Sequence, residues 1–177
     1  MEAGRTSIFT NNKADDHDGG AIYSVGDIDV QGATFIGNHA CIRGGAICSP
    51  KSVKVNNTIF SLNKVSSSNL NRIGGAIYSA DNVYVFNSTF EENHADKSAG
   101  AIYCEKSLYI NVPQSENGQA YKTVFTNNKA ASYGGAIYVK GDTKISDCIF
   151  DGQKLSNSDG GAIYVEFGSI EIKKVNI

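Results

Sequence analysis

Apolar and polar residues alternate with a period of two along this chain, in short runs separated by polar turns. The runs DIDV, SVKV, NVYV, SLYI and SIEI pair aliphatic residues with mostly polar ones. Such alternation predicts half-buried β-strands. No stretch shows the sustained apolar stripe of an amphipathic helix. The pattern therefore predicts an all-β fold.

Two motifs recur on either side of these runs at nearly constant spacing along the chain. The first opens on two small residues and closes on Ile-Tyr or a variant, at 19–23, 44–48, 74–78, 99–103, 134–138 and 160–164. The second is Phe followed three residues later by Asn or Gln, with the Phe at positions 9, 35, 60, 90, 125 and 150. Together they define a repeat of about 25 residues, and a fixed period of this size indicates a solenoid.

The repeat predicts a parallel β-helix of about six coils, each with three short strands. Equivalent residues then stack at roughly 4.8 Å per coil, and parallel crossovers favour a right-handed helix. We predict one β-helix segment over residues 1–177, as part of a longer solenoid. Extra residues at 66–71 and 113–122 are expected to form insertions in polar turns.

The position of a residue within the repeat also predicts whether its side chain faces the core or the solvent. One column of Ile and one column of Phe are predicted to fill the core, and the Asn after each Phe is predicted to form an amide ladder between coils. The paired glycines are expected to give a sharp turn or a close backbone approach. In one repeat Ala99 replaces the first glycine, whereas Gly100 keeps the second. We therefore expect the requirement for glycine to be stricter at the second position.

The overall composition and charge of the chain exclude only a few classes of function. The net charge of −2 gives no global reason to expect a nucleic-acid partner. No apolar run approaches the ~18–20 residues of a membrane helix. The four cysteines fall at different phases of the repeat, which predicts four free thiols, with a Cys41–Cys48 pair left open as the alternative. No cofactor is expected.

The alternation of GGAI with FxxN resembles the repeats of the chlamydial polymorphic outer-membrane proteins. The stretch NSTFEENHADKSAGAIY is also similar to adhesin-like surface proteins of methanogenic archaea. The likeness covers essentially the whole chain. It implies a right-handed parallel β-helix, an extracellular or cell-surface location as a segment of a larger secreted or anchored protein, and a non-catalytic role in attachment or as a stalk.

The resemblance also implies a partner, namely a glycan or protein on a host or neighbouring cell, met by repeat columns or inserted loops. Neither nucleic acid nor direct membrane insertion is expected. Because neither end shows a cap, end-to-end self-association is a further expectation. A rigid spacer without any ligand remains the alternative.

Two columns are candidates for binding. The tyrosine column follows the core Ile and is predicted to face outward; it comprises Tyr23, Cys48, Tyr78, Tyr103, Tyr138 and Tyr164. The basic row lies four residues after each Phe; it comprises Lys13, His39, Lys64, His94, Lys129 and Lys154. Stacked tyrosines could offer a contact platform or merely stabilise adjacent coils. The basic row could attract an anionic polymer or merely form a solvated edge.

Acidic residues suggest two weaker hypotheses. The cluster Asp15, Asp16 and Asp18 could hold a divalent cation, although its spacing matches no calcium loop. A polysaccharide lyase or hydrolase is the alternative function, since that chemistry can use paired carboxylates. Here the acids are scattered in phase, and Glu91 and Asp151 share a column two coils apart. Catalysis is therefore not expected.

Overall fold

A computed structural model of the chain describes residues 6–67, 72–112 and 121–176, and these contain β-strands and turns but no helix. The first twelve strands are β1 Ser7–Thr10, β2 Lys13–Ala14, β3 Ile22–Tyr23, β4 Ile28–Gln31, β5 Ala33–Ile36, β6 His39–Ala40, β7 Ile47–Ser49, β8 Val53–Asn56, β9 Ile59–Ser61, β10 Lys64–Val65, β11 Ile77–Ser79 and β12 Val83–Phe86. The remaining strands are β13 Thr89–Glu91, β14 His94–Ala95, β15 Ile102–Cys104, β16 Leu108–Ile110, β17 Thr123–Thr126, β18 Lys129–Ala130, β19 Ile137–Val139, β20 Thr143–Asp151, β21 Lys154–Leu155, β22 Ile163–Val165 and β23 Ile170–Asn176.

The strands stack in parallel as a β-solenoid of about six turns, which confirms the predicted fold class. One sheet runs β2-β6-β10-β14-β18-β21 and a second runs β22-β19-β15-β11-β7-β3. The third sheet has eleven strands, because β20 joins the strands that carry the core Phe to those of the alternating runs. The handedness of the helix stays a prediction.

Each coil contains one strand more than the sequence predicted. The three expected strands are present, and a fourth, of two residues, carries the basic row. Two residues are too few to show a period, so the hydrophobic pattern could not reveal this strand. The expected insertions at 66–71 and 113–122 lie largely outside the described residues.

The core consists of the predicted columns. The column Ile22, Ile47, Ile77, Ile102, Ile137 and Ile163 is in register from coil to coil. Beside it, the six Phe rings stack with centroids 4.6–4.9 Å apart and nearly parallel planes. Each buried Phe contributes roughly 1.5–3 kcal/mol by leaving water. The stack fixes the register of the coils because a slip by one residue would turn the rings to solvent.

The predicted amide ladder is also present. The side chain of Asn38 donates from Nδ2 to Oδ1 of Asn63 at 2.9 Å, and Asn63 and Asn93 repeat this bond to the next coil at 3.0 Å. The same Nδ2 groups donate to the carbonyl of the Phe one coil earlier. Asn38, Asn63, Asn93 and Asn128 are fully buried, so these bonds satisfy groups that water cannot reach.

All four cysteines are free thiols, as predicted, and the alternative Cys41–Cys48 bond is not formed. Burial raises the pKa of Cys48, Cys104 and Cys148 to about 12. These thiols are therefore protonated and unreactive at neutral pH. Across residues 6–67, 72–112 and 121–176, there is no helical segment with the length and hydrophobicity needed to cross a membrane.

Candidate functional site

The basic row lies along one edge of the solenoid with its six residues in register. Strands β2, β6, β10, β14, β18 and β21 pair in parallel, so each basic residue stands beside the next. The residue that follows each one turns inward and is buried or half-buried: Ala14, Ala40, Val65, Ala95, Ala130 and Leu155. The side chains of the row project outward, as the alternation predicted.

The second glycine position lies close against the backbone of the next coil in five of the six repeats, Gly161 being the exception. A Cβ on Gly100 would lie less than 3.0 Å from the backbone N and O of Lys129 in the next coil. A Cβ on Gly75 would come equally close to the backbone of His94. The first glycine position has a different role, since it adopts a positive φ that Ala99 also accepts at 61°. The stricter demand falls on the second glycine, which confirms the prediction.

Three residues of the row have polar partners nearby. Lys13 pairs with Asp15 at 2.6 Å, and His94 Nε2 lies 3.3 Å from the carboxylate of Asp96. His39 Nε2 contacts the hydroxyl of Ser66 at 2.9 Å. Within the described part of the chain, no carboxylate lies within ion-pair distance of the amines at the other three positions: Lys64, Lys129 and Lys154.

A surface depression of about 340 Å³ opens beside this part of the row. Its lining consists of Glu92, His94, Asn127, Lys129 and Lys154. Sequence reasoning missed Glu92 and Asn127, which both occupy the tight turn after the Phe strand with positive φ values of 52° and 53°. Their shared position, two residues before the basic row, is the signal that could have identified them. The depression combines amines with one carboxylate and one amide.

His94 differs electrostatically from the lysines that surround it. Burial of its imidazole lowers the pKa of His94 from the usual value; Asp96 opposes this shift, and the charges of Lys64 and Lys129 add to it. His94 is therefore mostly neutral at pH 7 and becomes charged only under acidic conditions. At neutral pH the positive charge of the depression comes from the lysines.

The tyrosine column requires a correction. Its rings point away from the main core, as predicted, but most are not exposed. Tyr78, Tyr103 and Tyr138 are 5–8% exposed and form a second apolar cluster with Cys48 and Ala99. Ile73 and Ala80 pack against this cluster. Only Tyr23, at 54% exposure, remains largely open. The column therefore does not form the solvent-facing platform that alternation had indicated.

The hydroxyl groups of the covered tyrosines have polar partners at the surface of this cluster. Arg43 donates from Nη1 to Tyr78 Oη at 3.3 Å, and its guanidinium lies 4.7 Å from the centre of the Tyr78 ring. Tyr138 donates to Glu166 at 2.6 Å. Burial of the ring raises the pKa of Tyr138, and the Glu166 hydrogen bond raises it further. These rings are held by packing and hydrogen bonds, which favours the stabilising interpretation of the column.

The proposed cation ligands are not assembled into a site. Asp18 accepts two bonds from Arg43, at 3.1 and 2.7 Å, and Asp15 pairs with Lys13. Across the described ranges, there is no group of three or more His, Cys, Asp or Glu residues that could hold a metal ion. The carboxylates of Asp15 and Asp18 are thus engaged by basic side chains, and cation binding by Asp15, Asp16 and Asp18 stays a prediction.

The repeats have known counterparts. Four stretches, at 6–25, 32–50, 87–105 and 122–140, match the Chlamydia polymorphic membrane protein repeat. These four stretches are similar to the repeats of this family. Each stretch runs from a Phe strand through a basic-row strand to a tyrosine-column strand, so one polymorphic membrane protein repeat supplies one residue of each column. The repeat family predicted from the motifs is thus confirmed, whereas the archaeal likeness stays a prediction.

A bacterial protein is also similar over most of the chain. The "Probable autotransporter YfaL" of Escherichia coli (strain K12) is 33% identical over 161 residues, which cover 80% of this chain. The chain spans only 12% of the length of that protein. No solved structure is significantly similar to the chain. The similarity therefore concerns the repeats and does not extend to the relative as a whole.

Proposed function

We propose that the chain is a non-catalytic, surface-exposed segment of a larger autotransporter-like protein and that it acts in attachment. The observation that carries the proposal is that four stretches similar to polymorphic membrane protein repeats each coincide with one structural unit of the solenoid. The similarity to a much longer autotransporter supports it. The partner would be a glycan or protein on another cell.

The solenoid suits such a role for a physical reason. Stacked coils present the same surface position many times in a row, so weak contacts can add along one ligand. The basic row is such a repeated position, with its side chains outward and its backbone fixed by the stack. The core and the amide ladder lie inside and need not change when surface residues vary.

The location can be tested with antibodies raised against the chain. We expect them to label intact cells of the source organism and expect external protease to remove the labelling. An antibody against a cytoplasmic protein, which should label only permeabilised cells, is the control. Labelling of this chain only after permeabilisation would contradict a surface location.

Attachment needs a separate measurement. Beads coated with the folded chain should bind to cells in larger numbers than beads coated with the same chain after irreversible denaturation. Equal binding would leave the folded surface without a role in attachment and would favour a spacer. Incubation of the chain with acidic polysaccharides tests catalysis, because progressive shortening of the polymer would favour the enzyme alternative.

A further inference from the structure

The lysines Lys64, Lys129 and Lys154 form the largest arrangement of charge for which the architecture gives no structural role. We propose that the basic row from Lys64 to Lys154 binds a linear acidic polysaccharide that runs along the axis of the β-helix. The proposal deepens the attachment function by naming a class of ligand, and its test is independent of any cell.

The first argument concerns charge. In the described residues, the amines of Lys64, Lys129 and Lys154 have no carboxylate within ion-pair distance, whereas lysines on other faces often do. Like charges held in register repel one another, so the row destabilises the fold modestly when it is empty. An anionic polymer would remove that repulsion. The overall charge of −2 does not prevent this, because exposed charges act mainly within a Debye length of about 10 Å.

The second argument concerns spacing. The stacked Phe rings show that one coil advances the structure by 4.6–4.9 Å. The four residues of the row from Lys64 to Lys154 therefore present side chains at regular intervals along a straight line. One interval is comparable to the length of a sugar unit in an extended polysaccharide. Acidic groups of a straight polymer can thus meet Lys129 and Lys154 on neighbouring coils and Lys64 two coils before Lys129.

The third argument distinguishes a polysaccharide from a nucleic acid. The depression beside the row adds Glu92 and Asn127 to the amines of Lys129 and Lys154. The Glu92 carboxylate can accept hydrogen bonds from sugar hydroxyl groups, and the Asn127 amide can both donate and accept them. The five residues that line the depression include no Phe, Tyr or Trp, and the His94 imidazole is half-buried, so the depression offers little ring surface on which a base could stack. The chemistry favours a polymer that carries both hydroxyl and acidic groups.

The experiment measures binding of the purified chain to immobilised polymers by surface plasmon resonance. The probes are heparin as a sulfated polysaccharide, polygalacturonate as a carboxylated one, dextran as a neutral one, and a single-stranded DNA oligonucleotide. We expect binding to one or both acidic polysaccharides, with affinity that falls as salt is raised. Dextran should not bind, and the oligonucleotide should bind more weakly than the preferred polysaccharide.

A matched pair of variants locates the site. The double substitution Lys129→Gln and Lys154→Gln removes two amines of the depression and should weaken binding roughly fivefold to tenfold, since each exposed contact is modest. The control, Lys51→Gln with Lys122→Gln, removes the same charge from exposed lysines elsewhere and should change affinity less than about twofold. Unchanged unfolding midpoints in both variants would show that the fold is retained.

Three results would overturn the proposal. These are the absence of polysaccharide binding at low salt, equal weakening by the two double variants, and tighter binding of the oligonucleotide. The outcome is separable from the proposed function. A chain that attaches to cells but binds no polysaccharide keeps the attachment role and loses this ligand. A chain that binds polysaccharide through the basic row but is not found at the cell surface does the reverse.

Discussion

The tyrosine column and the basic row were both expected to face outward, yet most of the tyrosine column is covered while the lysines of the basic row are open to solvent. Tyr103 is 7% exposed within a second apolar cluster, whereas Lys129 is exposed. The period-two alternation predicts on which side of a strand a residue lies. It does not predict whether another segment of the chain covers that side. An outward residue in a solenoid can therefore serve either a second core or a binding surface.

The cover over the tyrosines comes from residues outside the repeated motifs. Ile73 and Ala80 pack against the cluster, and the Tyr133 ring meets the Tyr138 ring edge-on at 6.2 Å between centroids. The basic row has a different setting, because its side chains project outward and none of them belongs to an apolar cluster of the described residues. We therefore expect substitutions in the two columns to affect different properties: stability for the tyrosines and binding for the lysines.

The largest effect on stability is expected at Gly100. This residue lies just before strand β15, which carries Tyr103, and packs against the backbone of Lys129 in the basic row. In Gly100→Ala the new methyl would overlap the backbone of Lys129 and the carbonyl of Gly135. We expect the free energy of unfolding to fall by about 4 kcal/mol or more, among the largest effects of single substitutions. Urea unfolding followed by circular dichroism measures it.

The neighbouring residue provides the control for this prediction. Ala99→Gly relieves a left-handed conformation that costs an alanine about 1–2 kcal/mol, but it also removes a buried methyl that contributes about 0.8 kcal/mol. The net change should stay within about 1 kcal/mol. If Gly100→Ala were as mild as Ala99→Gly, close packing between the two strands would not be what requires the second glycine.

A direct comparison of the two columns should give the next largest effect. Tyr103→Ala removes a covered ring between Tyr78 and Tyr138, with ring centroids 5.7 and 4.5 Å away, and should lower the free energy of unfolding by about 3 kcal/mol. Lys129→Ala should change it by less than about 0.5 kcal/mol, as is usual for an exposed side chain. Tyr23→Ala, at the exposed position of the same column, should cost less than Tyr103→Ala. Equal losses at Tyr103 and Lys129 would contradict the distinction between the columns.

The smallest effect is expected from the protonation of His94. Because its pKa is lowered in the folded chain, the unfolded chain binds the proton more readily, and stability should fall as pH drops below about 6.5. Titration of the imidazole by NMR should give a pKa below 6.5. Substituting both Lys64 and Lys129 by Gln should raise that pKa, since two neighbouring positive charges are removed. A His94 pKa at or above the ordinary value would contradict this electrostatic description.

Much of the solenoid could be predicted from the sequence because the stacking itself is periodic. The Ile and Phe columns and the amide ladder each consist of residues that recur at the same position of the repeat. Because the coils stack in register, residues at the same position come into contact. The register of the basic row was predictable for the same reason. The fourth strand of each coil was not, since two residues such as Lys64 and Val65 carry no detectable period.

The candidate site was only half predictable. Its amines belong to the repeated pattern, but Glu92 and Asn127 occupy a turn position where other coils have Gly37, Leu62 or Gly152. Likewise, the burial of Tyr78 and Tyr103 depends on turn residues such as Ile73 that no motif marks. Turn residues that vary from coil to coil decide what covers a column and what opens beside it. The repeat gives the position of these residues in each coil, but it does not give their identity.

The amide ladder has a consequence for how such a chain can change over time. Every interior rung donates to the coil after it and accepts from the coil before it, so the joint between any two coils has the same chemistry. A coil could be duplicated or lost without redesign of the joints on either side. The copy number of coils would then set the length of the basic row, and with it the number of contacts in the proposed polysaccharide site.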